Sequence, residues 1–153
     1  MSVYRPELDP EKVGEVAVGL DVIEIERIAE IVQQHGDRFL RRIYTERERE
    51  RYSSRIPELA ARFAAKEATS KALGTGIRGL TWRDMEILSN RRGKPILLLH
   101  GGAAARAETL GLVSFDVSLT HSRTLAMAFV VGLKERLPWS VSEVDDVPAD
   151  GVG

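Results

Sequence analysis

The sequence contains no cysteine. That absence removes disulfide frameworks, thiolate zinc sites and thiol nucleophiles together, and it leads us to expect a cytoplasmic protein. With only three histidines, and none beside another, a zinc centre is not expected either. An excess of charge is also missing. The chain has 22 Lys and Arg against 23 Asp and Glu, a net charge of −1, whereas a general nucleic-acid binder carries a strongly basic surface. Long apolar runs are absent as well. The longest aliphatic stretch, Ile96 to Leu99, is far short of the ~20 residues of a membrane span. Ser2 to Gly14, polar and with two prolines, has no signal-peptide character. These absences predict a chain that engages neither nucleic acid nor membrane.

What is present suffices for one core. At 153 residues and 43% hydrophobic, the chain fits a single domain that needs no metal or disulfide to fold. Residues 1–15 lack periodicity and read as a flexible N-terminal lead-in, and the acidic, small-residue-rich 138–153 as a flexible C-terminal tail. The folded domain is expected over 16–137. Within it, Val16 to Leu20 reads as a buried strand. Ile25, Ile28, Ile31 and Val32 form a helical stripe that Gly36 stops. Thr45 and Glu48 form a capping-box pair ahead of a helix starting at Glu46. Pro57 to Leu73 is the strongest helix signal, closed by Gly74. Strands follow at Leu80 to Leu88 and Pro95 to His100, a helix at Ala103 to Leu110, and strands at Ser114 to Thr120 and Leu125 to Leu133. Helices and hairpins are segregated, so the expected class is α+β, a mostly antiparallel sheet packed against a long helix.

Chemistry is sought where residues break these patterns. Glu67 and Lys71 lie on the helical stripe Ala60, Phe63, Ala64, Glu67, Ala68, Lys71, among residues that read as buried. A surface i,i+4 pair explains them equally well. Asp21 closes the first apolar run, where it is either a helix N-cap or a hard oxygen ligand. Paired with Glu67 it would suit Mg²⁺, which takes one or two carboxylates and leaves its other positions to water and phosphate. Thr120-His121-Ser122 forms a polar turn at the end of the row Val117, Leu119, His121. A structural histidine and a phosphate contact are both open there. Gly74-Thr75-Gly76 is either a helix C-cap or a loop whose amides approach an anion. Gly93-Lys94-Pro95 is either a hairpin turn or a turn with a phosphate-binding lysine.

Taken together, Gly19-Leu20-Asp21-Val22, Arg62-Phe63-Ala64-Ala65-Lys66-Glu67-Ala68 with Ser70-Lys71-Ala72, Gly74-Thr75-Gly76 and Val117-Ser118-Leu119-Thr120-His121-Ser122 resemble the holo-[acyl-carrier-protein] synthase family. These are the small bacterial 4′-phosphopantetheinyl transferases. Trp82 to Ile87 and Gly93-Lys94-Pro95 resemble the central hairpin of that family.

The resemblance implies transfer of 4′-phosphopantetheine from coenzyme A to a serine of an acidic apo acyl carrier protein. The other product would be adenosine 3′,5′-bisphosphate, and the setting fatty acid and lipid biosynthesis. It implies Mg²⁺ on Asp21 and Glu67, with Glu67 and Lys71 as catalytic groups. Coenzyme A would be bound by Lys71, Gly74, Thr75, Gly76, Lys94, Pro95, Thr120, His121 and Ser122. Arg62, Lys66 and Ser70 would be secondary contacts, and Arg27, Arg38 and Arg42 would dock the carrier. A homotrimer with sites between subunits is also implied. A Mg²⁺-dependent phosphohydrolase and a non-catalytic coenzyme A or carrier-binding module are the alternatives that the residues alone leave open.

Overall fold

The computed structural model describes residues 15–134. The expected tail and all of the lead-in except Glu15 lie outside the described residues. The elements in chain order are β1 (Val16–Glu24), α1 (Ile25–Ile43), α2 (Glu46–Tyr52), α3 (Ile56–Ala72), β2 (Met85–Ser89), β3 (Pro95–Leu99), α4 (Gly101–Leu110), β4 (Ser114–His121) and β5 (Leu125–Leu133).

Alanine organises the core. Ala60, Ala61, Ala64, Ala65, Ala68 and Ala72 of α3 are all buried, and side chains this short let neighbouring backbones approach closely. The helix packs on β1 and β5 of a three-stranded antiparallel sheet ordered β1-β5-β4, and it also touches α1 and β2. The expected sheet is thus divided in two, because among the described residues β2 and β3 pair only with each other, as a separate antiparallel hairpin. The class is α+β with antiparallel sheets. No helix among the described residues is long and apolar enough to cross a membrane.

Three boundaries differ from expectation, each for a local reason. The first strand runs on to Glu24, because the β5 ladder continues through Asp21↔Ala128 to Glu24↔Leu125. Gly36, at φ 49° and ψ −126°, bends α1 instead of ending it, and the helix resumes to Ile43. The strand expected over Leu80 to Leu88 begins only at Met85. Thr81 and Asp84 cap each other reciprocally and wind Trp82–Asp84 into one 3-10 turn. The capping box at Thr45 and Glu48 is present as expected.

Glu48 does more than cap. Its carboxylate is fully buried and receives Lys66 Nζ at 2.9 Å, Thr45 N at 2.8 Å and Ile87 N at 2.9 Å. Burial holds the Lys66 amine below the ordinary lysine range, with Glu48 opposing the shift. Beside this pair the Arg62 guanidinium lies 3.5 Å over the Tyr52 ring, and Tyr44 Oη donates to Leu59 O at 2.7 Å. The interior is therefore ionic as well as apolar, and Glu48, Lys66 and Arg62 each have partners there.

Candidate active site

A close approach of two backbones creates the site. A Cβ on Gly19 would lie 1.7 Å from Ala68 O and 3.0 Å from Ala72 N, so only glycine lets β1 lie this close to α3. Strand alternation then directs Asp21, two residues on, to the same side, at the last turn of the helix. Lys71 Nζ meets Asp21 Oδ1 at 3.0 Å and Leu20 O at 2.9 Å. The pair is open to solvent, with side chains 51% and 18% exposed for Lys71 and Asp21.

Glu67 lies one turn before Lys71 on α3. Its carboxyl is raised above the ordinary glutamate range, first by burial and then by the charge of Asp21, while Lys71 and Arg27 pull it back. Among the described residues nothing donates a hydrogen bond to that carboxylate. Two acids thus repel each other beside a lysine that satisfies only one of them, and a cation would relieve the arrangement. No cluster of three or more His, Cys, Asp or Glu that could hold a metal exists among the described residues. A two-carboxylate set fits Mg²⁺, which fills its remaining positions with water and phosphate oxygens. Zinc would require more.

The other candidate residues lie around this centre at various removes. Arg27 is exposed on α1 and close enough for its charge to act on Glu67. Arg38 and Arg42 are exposed beyond the Gly36 bend. After α3 the amides of Gly74, Thr75 and Gly76 donate to Lys71 O and twice to Ser70 O, so these N–H groups are engaged within the chain. Lys94 and Pro95 line an open groove of 470 Å³ together with Asp116, Ser118, Leu119 and Phe129, and Lys94 Nζ lies 3.3 Å from Asp116 Oδ1. Thr120, His121 and Ser122 are exposed at the end of β4. The His121 row therefore grades from buried Val117 to a solvent-facing imidazole. The register places Leu119 level with Asp21 across β5, so the Thr120 turn stands two strand spacings, roughly 10 Å, from β1. One chain does not bring it to the acids.

Residues 17–130 match the model of the 4′-phosphopantetheinyl transferase superfamily. The chain is 46% identical over 125 residues to the holo-[acyl-carrier-protein] synthase of Herpetosiphon aurantiacus, covering 77% of this chain and 98% of the relative. To that of Rhodopseudomonas palustris it is 50% identical over 128 residues, covering 76% and 91%. The holo-[acyl-carrier-protein] synthase structure from Neisseria meningitidis superposes with a TM-score of 0.70 at 32% identity, covering 76% and 96% of the two chains. The Helicobacter pylori enzyme in complex with coenzyme A gives 0.69 at 29%, covering 75% and 98%. The chain belongs to the holo-[acyl-carrier-protein] synthase family of 4′-phosphopantetheinyl transferases.

Membership of this transferase family makes the chain an enzyme and removes the binding-module alternative. It does not make every motif residue a ligand contact. Lys66, Arg62 and Ser70, expected as secondary contacts, are buried. Lys66 is held by Glu48, Arg62 donates to Ile87 O at 3.0 Å, and Ser70 Oγ donates to Glu67 O at 2.7 Å. Lys66 and Arg62 face the interior because the helix turns ~100° per residue, which sets them off the face of Glu67 and Lys71, whereas Ser70 is taken up by its hydrogen bond within the helix. A second feature of this transferase escaped the sequence argument. A cleft of 520 Å³ is lined by Arg51, Arg55, Arg91, Glu58, Asn90 and Ser89. Arg55 pairs with Glu58 at 3.3 Å, and Arg51 Nε and Nη2 are buried without a hydrogen-bond partner among the described residues. Donors of this kind suit a phosphate. The signal was Arg51 and Arg55 at i,i+4, obscured by the alternating charges of Glu46 to Arg51.

Proposed function

We propose that this chain transfers the 4′-phosphopantetheine group from coenzyme A to a serine of an apo acyl carrier protein in the cytoplasm. The reaction is Mg²⁺-dependent and releases adenosine 3′,5′-bisphosphate. The observation that carries this reading is the Asp21–Lys71–Glu67 cluster, with an unpartnered carboxylate shifted upward beside a second acid. Asp21 and Glu67 would hold Mg²⁺, which supplies positive charge to the phosphate oxygens when bound.

The chain's own groups account for the rest of the chemistry. The serine Oγ forms a bond to the β-phosphorus, and the bond from that phosphorus to the bridging oxygen breaks. The bisphosphate leaves with the electron pair. Glu67 accepts the serine proton. Lys71, fixed by Leu20 O and Asp21, offers a point charge to the pyrophosphate. The Gly74–Gly76 loop, Lys94, Pro95 and the Thr120–Ser122 turn contact the nucleotide. In the cleft where Glu58 takes up Arg55, Arg51 and Arg91 add cationic donors for a phosphate. Arg27, Arg38 and Arg42 present positive charge to the acidic carrier.

A homotrimer supports this assembly. The outer face of β1 and β5 is apolar and bare, with Val18 57% and Leu20 56% exposed beside Phe129 and Val131, and such a patch on a soluble chain marks an interface. Copies arranged about a closed axis would bring one subunit's nucleotide contacts to a neighbour's acids.

Intact-mass measurement tests the reading. Protein, coenzyme A, Mg²⁺ and an apo carrier are combined, and the expected result is one phosphopantetheine added per carrier. An unmodified carrier, or coenzyme A hydrolysed with the carrier untouched, would overturn it.

A further inference from the structure

The alanine face of α3 is smooth, and methyl groups alone give a helix little to stop it from sliding or turning against a sheet. Two buried cations supply that stop. Arg62 donates from Nε to Ile87 O at 3.0 Å and from Nη2 to Ser89 Oγ at 3.0 Å. One turn on, Lys66 Nζ donates to Met85 O at 2.5 Å, Trp82 O at 3.2 Å and Glu48 Oε2 at 2.9 Å. Four residues of helix advance ~6.0 Å and two residues of strand ~6.7 Å. The steps 62-to-66 on α3 and 87-to-85 on β2 therefore match as two rungs of one ladder. A slip of one residue would break both rungs and rotate the helix by ~100°.

Stability alone does not account for this arrangement. An apolar pair of similar volume would do as well or better, and the best-attested use of a buried charge is to fix a register. Lys66 directly precedes Glu67, so whatever fixes the direction of one fixes the other. The geometry points to Lys66, with Glu48 and Arg62, as positioning residues that set the register of α3 against β2 and so hold Glu67 and Lys71 opposite Asp21. This inference rests on the transferase reading above.

The test uses the full-length chain and three variants. Glu48→Gln with Lys66→Gln removes both charges and keeps hydrogen-bonding groups. Glu48→Asp keeps both charges and shortens the arm by one methylene. Leu59→Val, on the same helix but making none of the ladder's hydrogen bonds, is the control for lost stability. In the double variant and in Glu48→Asp, kcat should fall about a hundredfold with carrier KM unchanged. Mn²⁺ affinity, read by spin resonance without substrate, should weaken at least ~10-fold. Leu59→Val should lower the melting temperature and leave both readouts at parental values. A folded double variant, or Glu48→Asp if the double variant does not fold, that keeps the parental kcat and Mn²⁺ affinity would overturn the inference. A parent that modifies no carrier would overturn the transferase reading instead, and the Mn²⁺ comparison would still decide the register.

Discussion

Helix α3 carries two lysine–carboxylate pairs five residues apart, and they differ in everything except their chemistry. Lys66 and Glu48 are both 0% exposed, and every donor and acceptor between them and the surrounding backbone is matched. Lys71 and Asp21 lie at 51% and 18% exposure, next to a carboxylate that receives no hydrogen bond among the described residues. A saturated ion pair has no capacity left for a ligand and can only hold parts in place. An unsaturated cluster, destabilised by its own like charges, gains when something cationic arrives. Completeness of partnering therefore separates the two pairs more sharply than residue type does.

The comparison can be broken at either pair. Glu67→Gln should have the largest effect, lowering kcat at least a thousandfold, ~4 kcal/mol of transition-state stabilisation. Its melting temperature should not fall, because the charge removed is one that Asp21 opposes. Turnover close to the parental rate would end the role assigned to it. At the saturated pair stability is lost as well as turnover. Glu48→Gln leaves the Lys66 ammonium buried beside a neutral partner and should cost about 3 kcal/mol in denaturant unfolding. An unchanged midpoint would show that the pair is dispensable.

Gly19→Ala probes the contact that joins the two regions. The new methyl meets Ala68 O, and it should cost about 2 kcal/mol through overpacking while also lowering kcat as Asp21 shifts. Loss of stability with full activity would contradict the positioning of Asp21 through Gly19. Arg27→Glu should raise the carrier KM about tenfold and flatten its salt dependence. A salt profile identical to the parent's would exclude Arg27 from docking.

The smallest effect is on acid stability. Burial alone would raise the Glu86 carboxyl, but hydrogen bonds from Arg47, Thr45 and His100 outweigh it and hold the group below the ordinary glutamate range. A depressed carboxylate contributes stability that is fully present above the unfolded value and is lost as pH falls through the folded one. Arg47→Leu should therefore move the acid-unfolding midpoint to higher pH, read by circular dichroism. An unmoved midpoint would remove Arg47 from that balance.

Much of this architecture was legible from local signals. The helix proposed over Pro57 to Leu73 is α3, and the Thr45–Glu48 box caps α2. Asp21, Glu67 and Lys71 stood out because each broke an apolar pattern. Long-range pairing was not legible. Nothing in the run Glu46 to Arg51 marks Glu48 as the buried member, since its partner is 18 residues away and its neighbours are charged. The same blindness sent Lys66 and Arg62 to the nucleotide, because adjacent positions on a helix face different surroundings and spacing alone does not say which. The Thr81–Asp84 cap, by contrast, has the same spacing as Thr45–Glu48 and was overlooked under an apolar strand pattern. Strand alternation places His121 at the end of the row from Val117, but the cover over β4 does not extend to the turn.

The bare valines and Leu20 on the outside of β1 carry a thermodynamic consequence under the trimeric reading. Three copies that shield this face from water stabilise one another by mass action, so the melting point becomes a function of how much protein is in the tube. Dilution alone would then weaken the fold and separate the two halves of each site, with no change in any residue.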